Sequence, residues 1–267
     1  MLKDITLGQY IPGNSVIHRM DPRLKLVLTI GYIAVLFAAK GPASYALVFG
    51  SLVLVIALSG IGLRFVFRSI KPLLFIILFT AVLNMFYVSG DPLWSWWIFT
   101  ITREGVHTAV YMALRIAMLI SGTFVLLNYT TPPIKLTDGI EQLLGPLKKI
   151  HVPVHELAMM MTIALRFIPT LIEETDKIMS AQKARGADFE TGNLVRRAKA
   201  LVPILVPLFV SAFRRADDLA VAMECRCYRG SEGRTRLHTL KMQRIDYITM
   251  CVAAVLGTGI VLLGLYV

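Results

Sequence analysis

Arg185 and Arg226 stand in matched surroundings 41 residues apart. The stretch DKIMSAQKARG closes on Ala184, Arg185 and Gly186, and DDLAVAMECRC closes on Cys225, Arg226 and Cys227. An Asp lies nine residues before each Arg (Asp176, Asp217) and an Ala four before (Ala181, Ala222). A guanidinium is planar, always charged and forked, which suits a buried interfacial pair. The chemistry on offer is therefore docking into an acidic groove of a partner rather than bond-making. Gly186 suits the left-handed residue that closes a helix, and a cation at a helix C-terminus complements the dipole. That accounts for each arginine alone, but not for two successive helices sharing the arrangement.

Other chemistry is sparse. No G-x-x-x-x-G-K-[ST] loop occurs, so hydrolysis of ATP by that route is excluded. Cys225 and Cys227 form a lone C-x-C, and Cys251 lies in the last apolar run. A metal site needs more ligands at set spacing. His18, His107, His151, His155 and His238 do not supply them, and the pair His151/His155 with Glu156 makes a poor metal signature. No metal and no cofactor are expected. Arg115 falls near the middle of an apolar run, where an ionisable residue is a candidate functional group. It pairs with a neighbouring helix or lines a cavity, or else it is a structural ion pair or snorkels from a tilted helix. Asn84 is read as a helix–helix hydrogen bond.

The matched endings need two long helices to carry them. Residues 157–172 and 201–213 are apolar but contain Arg166, Pro169, Pro203 and Pro207. They give roughly 24 and 20 Å of helix, against a hydrocarbon core of about 30 Å. They are read as the apolar starts of two helices that tuck against the membrane base and emerge into the cytoplasm. Ala212, Ala216 and Ala220 place small residues every fourth position, which lets another helix cross closely. The two long helices are expected to form a crossed pair. Residues 133–149 read as an amphipathic helix on the inner surface, with Ile134, Ile140, Leu143, Leu144 and Leu147 on one face.

The rest of the chain is membrane. Hydrophobic residues make up 56% of it and the mean hydropathy is +0.66. Apolar runs at 24–39, 43–60, 72–88, 106–129 and 247–267 predict about five spanning helices. The short first run is helped by Lys25 snorkelling and by Tyr32 near an interface. No clear cleavable signal precedes it, so the first span is expected to stay attached. Trp94, Trp96 and Trp97 in the 89–105 connection read as an aromatic belt at the outer interface, or as a lid or partner contact, and WWIFTIT could form a short hairpin. Eighteen of the 28 Lys and Arg residues lie between 131 and 245. Lys3, Arg19, Arg23, Lys25, Arg64, Arg68 and Lys71 alternate with loops holding only Lys40 and Arg103, so the N-terminus and the basic block are expected inside and the C-terminus outside. The fold expected is an all-α membrane protein in three parts: a four-helix membrane region over 1–130, a cytoplasmic and interfacial coupling domain over 131–245, and a C-terminal transmembrane helix over 246–267. The basic block would meet protein and anionic lipid; lipid takes Lys148 and Lys149. No nucleic-acid partner is expected.

With GQYIPGNSVIHRMDPRLKL at the start, AQKARGADF closing the first long helix and MECRCYRG closing the second, the chain resembles the transmembrane T component of energy-coupling factor (ECF) transporters over nearly its full length. Cys225 and Cys227 stand where that family usually has Ala and Gly, which leaves the second cap geometry open and makes Arg185 the stricter arginine. The resemblance implies a non-catalytic multi-pass scaffold. Its implied partners are two ATP-binding cassette ATPases, with Arg185 and Arg226 in their grooves, and a small substrate-binding membrane subunit for vitamins or metal-ion micronutrients. Two other functions are weighed. A self-sufficient secondary transporter or channel, built on Arg115 and Asn84, needs polar residues through several spans and a hydropathy repeat, and neither is visible. An intramembrane enzyme needs convergent catalytic groups, and only His151, His155 and Glu156 cluster.

Overall fold

The computed structural model describes residues 10–96, 99–187, 189, 193–230 and 240–266; side chains at 92–101, 194, 196–198, 265 and 266 also fall outside the description. The aromatic belt expected from Trp94, Trp96 and Trp97, and the cations Arg196 and Arg197, therefore lie outside the described side chains. The chain divides into two compact units.

The larger unit takes in Gly8–Leu143 and Thr239–Val267. It opens with α1 (Val16–Arg19) and α2 (Pro22–Ala38), then α3 (Gly41–Ser59) and α4 (Leu63–Ile70), which continues through a 3-10 turn into α5 (Leu74–Tyr87). A ribbon of β1 (Pro92–Trp96) and β2 (Phe99–Thr102) leads into α6 (Arg103–Thr123), and a π turn at Phe124–Asn128 ends that helix. Then come α7 (Pro133–Leu143) and α10 (Arg244–Tyr266). The expected short hairpin is this ribbon, antiparallel with Trp96 opposite Phe99.

The opening motif works as a lock on helix entry. The Ser15 side chain caps α1, and the His18 ring bridges Ser15 Oγ (2.6 Å) and the Ile11 carbonyl (3.0 Å). Asp21 caps α2 by accepting from the Arg23 N–H at 2.9 Å, and Pro22 takes the first turn, where its missing donor costs nothing. Arg23 holds Asp21 through its guanidinium at 2.9 Å and donates to the Leu240 carbonyl at 3.0 Å, ahead of α10. Asp246 accepts from the N–H groups of Asp21 (3.1 Å) and Gln243 (2.7 Å), so one buried carboxylate serves the starts of both α2 and α10.

Three expectations are corrected here. Lys25 does not snorkel. It is buried, and its ammonium donates to the Thr130 carbonyl (3.0 Å), Thr130 Oγ1 (3.2 Å) and Thr131 Oγ1 (2.9 Å). The turn after the π segment presents three oxygens to three ammonium donors, which removes the need to reach water. Tyr32 spends its hydroxyl inside the chain rather than at an interface: its ring lies against Gly122, where a Cβ would overlap it, and its hydroxyl donates to the Met118 carbonyl at 3.0 Å. Asn84 bonds within its own helix, to the Thr80 carbonyl at 2.8 Å. The helices α5 and α6 approach so closely at Gly105 that a Cβ there would come within 2.8 Å of the Met85 carbonyl, so backbone fills the space an amide would need.

The core is built on Leu36, Val48, Leu52, Met118, Val125 and Tyr129, drawn from α2, α3, α6 and the turn after it. Contacts gather helix ends into two sets. One holds Arg23 with Leu240, Lys25 with Thr130 and Thr131, and Tyr129, whose hydroxyl donates to the Phe65 carbonyl at 3.0 Å. The other holds Ser44, which donates to the Ile260 carbonyl, and Gly264, packed on Ala38. The chain crosses between these sets on α2, α3, α4–α5, α6 and α10. The helix α7 packs on α2, with Gly139 against Pro22, and leaves Ile134 and Leu143 exposed.

The other unit takes in Leu144–His238. It holds a 3-10 turn (Gly145–Ile150) and two long helices that pack on each other, α8 (Val154–Ala184) and α9 (Leu194–Cys225). Pro169, Pro203 and Pro207 lie inside these helices on exposed positions. Each removes one backbone donor where water or lipid, not a packed neighbour, lies alongside.

Five helices among the described residues are long and apolar enough to cross a membrane. The set differs in one member from the runs expected. Val154–Ala184 qualifies through its apolar first half, while α2, at 17 residues, falls just short.

Candidate functional site

The two arginine-bearing ends are built alike, down to the hydrogen bonds. In α8 the Gly186 N–H donates to the Lys183 carbonyl (3.0 Å) and the Ala187 N–H to Gln182 (3.0 Å). In α9 the Cys227 N–H donates to Glu224 (2.8 Å) and the Tyr228 N–H to Met223 (3.1 Å). Both are complete Schellman closures, with Gly186 at φ 87° and Cys227 at φ 55°. The expectation that Cys227 gives a lesser cap is thereby corrected. The pair of closing hydrogen bonds holds a thiol-bearing residue in a conformation that ordinarily goes to glycine.

Arg185 and Arg226 consequently occupy the same position, the last residue before the left-handed turn. Both are exposed, and among the described residues neither side chain has a hydrogen-bond or ion-pair partner. Ala184 and Cys225 precede them, also exposed. Two forked cations end two helices with their donors unspent, which is what docking into acidic pockets requires.

The helices α8 and α9 are tied by Arg215, whose guanidinium donates to Glu174 at 2.7 Å. The sequence reading missed this pair, because no local rule joins two charges 41 residues apart. The inward row of α9 runs Ile204, Leu208, Ser211, Arg215, Leu219 and Met223. The alanine row lies one position on from it. Ala212 is half-buried, and Ala216 and Ala220 are exposed.

Arg115 sits elsewhere, in the larger unit. Its Nε donates to the Tyr45 hydroxyl at 2.9 Å, and its guanidinium lies 5.7 Å from the Phe37 ring and 5.8 Å from the Tyr45 ring. It lines a pocket of about 230 Å³ with Lys40 and Gly41. The tie to a neighbouring helix therefore holds, and what Arg115 lines is an open pocket rather than a closed cavity. Arg115 meets the turn between α2 and α3 at this pocket, about three turns into α6. Among the described residues no three His, Cys, Asp or Glu side chains gather as a metal site.

Comparison with known proteins agrees with this architecture. The model of the cobalt transport protein family CbiQ matches residues 13–237. The energy-coupling factor transporter transmembrane protein EcfT of Acidaminococcus fermentans is 55% identical over 100% of this chain and 96% of its own length. That of Ruminiclostridium cellulolyticum is 52% identical over 98% of each. That of Lactococcus lactis is 48% identical over 92% of each. With such identity along nearly the whole chain, and the same multi-helix membrane architecture expected of a transporter's membrane component, the chain belongs to the EcfT family of energy-coupling factor transporter transmembrane proteins.

Proposed function

We propose that this chain is the non-catalytic scaffold of an ATP-driven importer of vitamins or other micronutrients, and that it couples two ATP-binding cassette ATPases to a small substrate-binding membrane subunit. The observation that carries this is the matched pair of helix ends. Arg185 and Arg226 are each exposed beside a Schellman closure, at one position in two successive helices. Docked one to each ATPase, they would transmit closure of the ATPase pair along α8 and α9, which the Arg215–Glu174 bond holds together. Motion of these helices would then reorient the substrate subunit. In this reading Ala184, Gly186, Cys225 and Cys227 shape the docking ends, and Ala212, Ala216 and Ala220 are the row where a helix crosses closely.

The orientation follows from charge. The helix-end set that includes Arg23, Lys25 and Phe65 lies cytoplasmic, together with the basic block, because short basic loops stay inside. The protein would be a multi-pass component of the cell membrane.

Removing one partner of a buried charged contact costs about 2–5 kcal/mol, and two contacts on one rigid chain act through effective concentration. Arg185→Ala or Arg226→Ala alone is expected to weaken ATPase association and uncouple hydrolysis from transport. The double variant is expected to lose the complex. Because the caps match, the two arginines are expected to matter equally. If both merely finish their helices, each loss costs about 0.3–1 kcal/mol. Wild-type recovery of the ATPases on the double variant, with wild-type transport, would remove the coupling role.

A further inference from the structure

We propose that Arg115 and Lys40 form a binding site for a phosphate group, such as a phospholipid headgroup carries, at the end of the larger unit where α2 turns into α3. The pocket of about 230 Å³ is lined by Lys40, Gly41, Tyr45, Thr108, Tyr111 and Arg115 among others, and no carboxylate lines it. Its size suits one phosphate with room for the atoms attached to it.

The donors of Arg115 are mostly unspent. Arginine has five N–H groups, and the only hydrogen bond from the Arg115 guanidinium to a described residue is that of Nε to Tyr45. The four terminal N–H groups remain for a ligand, in the fork that matches two phosphate oxygens. The rings of Phe37 and Tyr45 lie under the guanidinium and fix its plane. A half-buried guanidinium beside a second cation and without a carboxylate is electrostatically incomplete, and an anion completes it. Lys40 is exposed at the pocket rim, and Thr108 and Tyr111 add hydroxyl donors from α6.

The position favours a lipid. In this reading the turn at Ala39–Gly41, between the apolar helices α2 and α3, lies at headgroup depth. Phe37 and Leu114, next to the pocket, are exposed apolar residues and would face acyl chains. A headgroup could therefore enter sideways with its chains still in lipid. The site lies apart from Arg185 and Arg226 in sequence and chemistry, so it stands or falls separately from ATPase docking.

The test uses the purified full-length chain in neutral detergent, with phosphatidylglycerol, inorganic phosphate and phosphate-free diglucosyl diacylglycerol as three probes. Bound molecules are counted by native mass spectrometry and melting is followed in parallel. The wild type is expected to retain phosphatidylglycerol. Arg115→Gln is expected to bind it at least about tenfold more weakly, the scale of one lost charge-assisted contact. Lys40→Gln is expected to weaken it less, and Arg115→Lys to restore part of it. Arg103→Gln, a cation at the start of α6 outside the pocket, is expected to leave it unchanged. Stabilisation by millimolar inorganic phosphate alone, lost in Arg115→Gln, would identify a soluble phosphate as the ligand; retention of the lipid only would identify the headgroup. Equal retention of both phosphate probes by wild type, Lys40→Gln and Arg115→Lys overturns the proposal, whether or not Arg115→Gln folds. So does equal binding of the phosphate-free glycolipid, or an Arg115→Gln chain that keeps its phosphate ligands but loses a co-purifying membrane protein.

Discussion

Gly186 and Cys227 close two successive helices in one geometry, at φ 87° and φ 55°, although only the first is a glycine. A side chain in the left-handed region costs about 1–2 kcal/mol. The second end therefore adopts a shape that its own residue opposes, and the shape, not the residue, is what the two ends have in common. Their shared shape sets Arg185 and Arg226 at equivalent positions.

Cys227→Gly follows directly. It removes the left-handed penalty and is expected to stabilise the chain by about 1 kcal/mol, less the extra entropy that glycine gains in the unfolded state. ATPase recovery should remain at the wild-type level. Cys227→Val, β-branched in the same conformation, should destabilise the end and weaken recovery. Thermal melting with pull-down checks both. Loss of ATPase binding in Cys227→Gly would show that the thiol, rather than the cap, is what the partner needs.

Legibility divides along physical lines. Apolar runs are local, so helices over four of the five expected runs are long enough to span, while α2 falls just short and the apolar first half of α8 was read as too short. The arginine endings were readable because helix caps are also local. What escaped was any partner chosen by three-dimensional packing. Lys25 looked like a snorkelling residue because nothing nearby in sequence shows that Thr130 and Thr131 lie across from it, 105 and 106 residues on. Asn84 and Tyr32 failed similarly, since glycines at 105 and 122 decide how close their helices come. The α8–α9 tie rests on Glu174 and Arg215, 41 residues apart, and no local rule pairs them.

Ala216→Leu separates packing within the chain from packing against a partner. Ala216 is exposed, so the chain alone should tolerate leucine, within about 0.5 kcal/mol for a surface change between two good helix formers. If a helix crosses there in the assembled transporter, overpacking should cost about 1–3 kcal/mol. The expected result is normal melting of the purified chain and poor assembly or transport. Full transport at normal expression would leave the alanine row without a crossing helix.

Sidedness is checked with an impermeant thiol reagent on whole cells. In a background without native cysteines, Lys40→Cys is expected to label from outside, and Arg64→Cys only after permeabilisation. These positions lie at opposite ends of α3. Restored Cys225 or Cys227, both exposed, should behave like Arg64→Cys. Labelling of Cys225 from outside would reverse the orientation of the coupling helices.

The Asp246 lock gives the sharpest stability test. Asp246 is buried, at 2% exposure, and its two oxygens accept separately from the N–H groups of Asp21 and Gln243. Asp246→Ala leaves both donors unpaired, one of them buried, and each buried orphan costs about 1–3 kcal/mol. Asp246→Asn keeps one carbonyl oxygen and should retain one of the two bonds, so its cost should be smaller. Arg23→Ala should weaken the same junction from the other side, because Arg23 orients Asp21 and holds the Leu240 carbonyl. Asp246→Ala and Arg23→Ala share a network, so their costs are expected not to add. Melting of the single and double variants measures this. Strict additivity, or an Asp246→Ala chain as stable as wild type, would mean that α2 and α10 are held by their apolar contact alone and that the buried carboxylate does not join them.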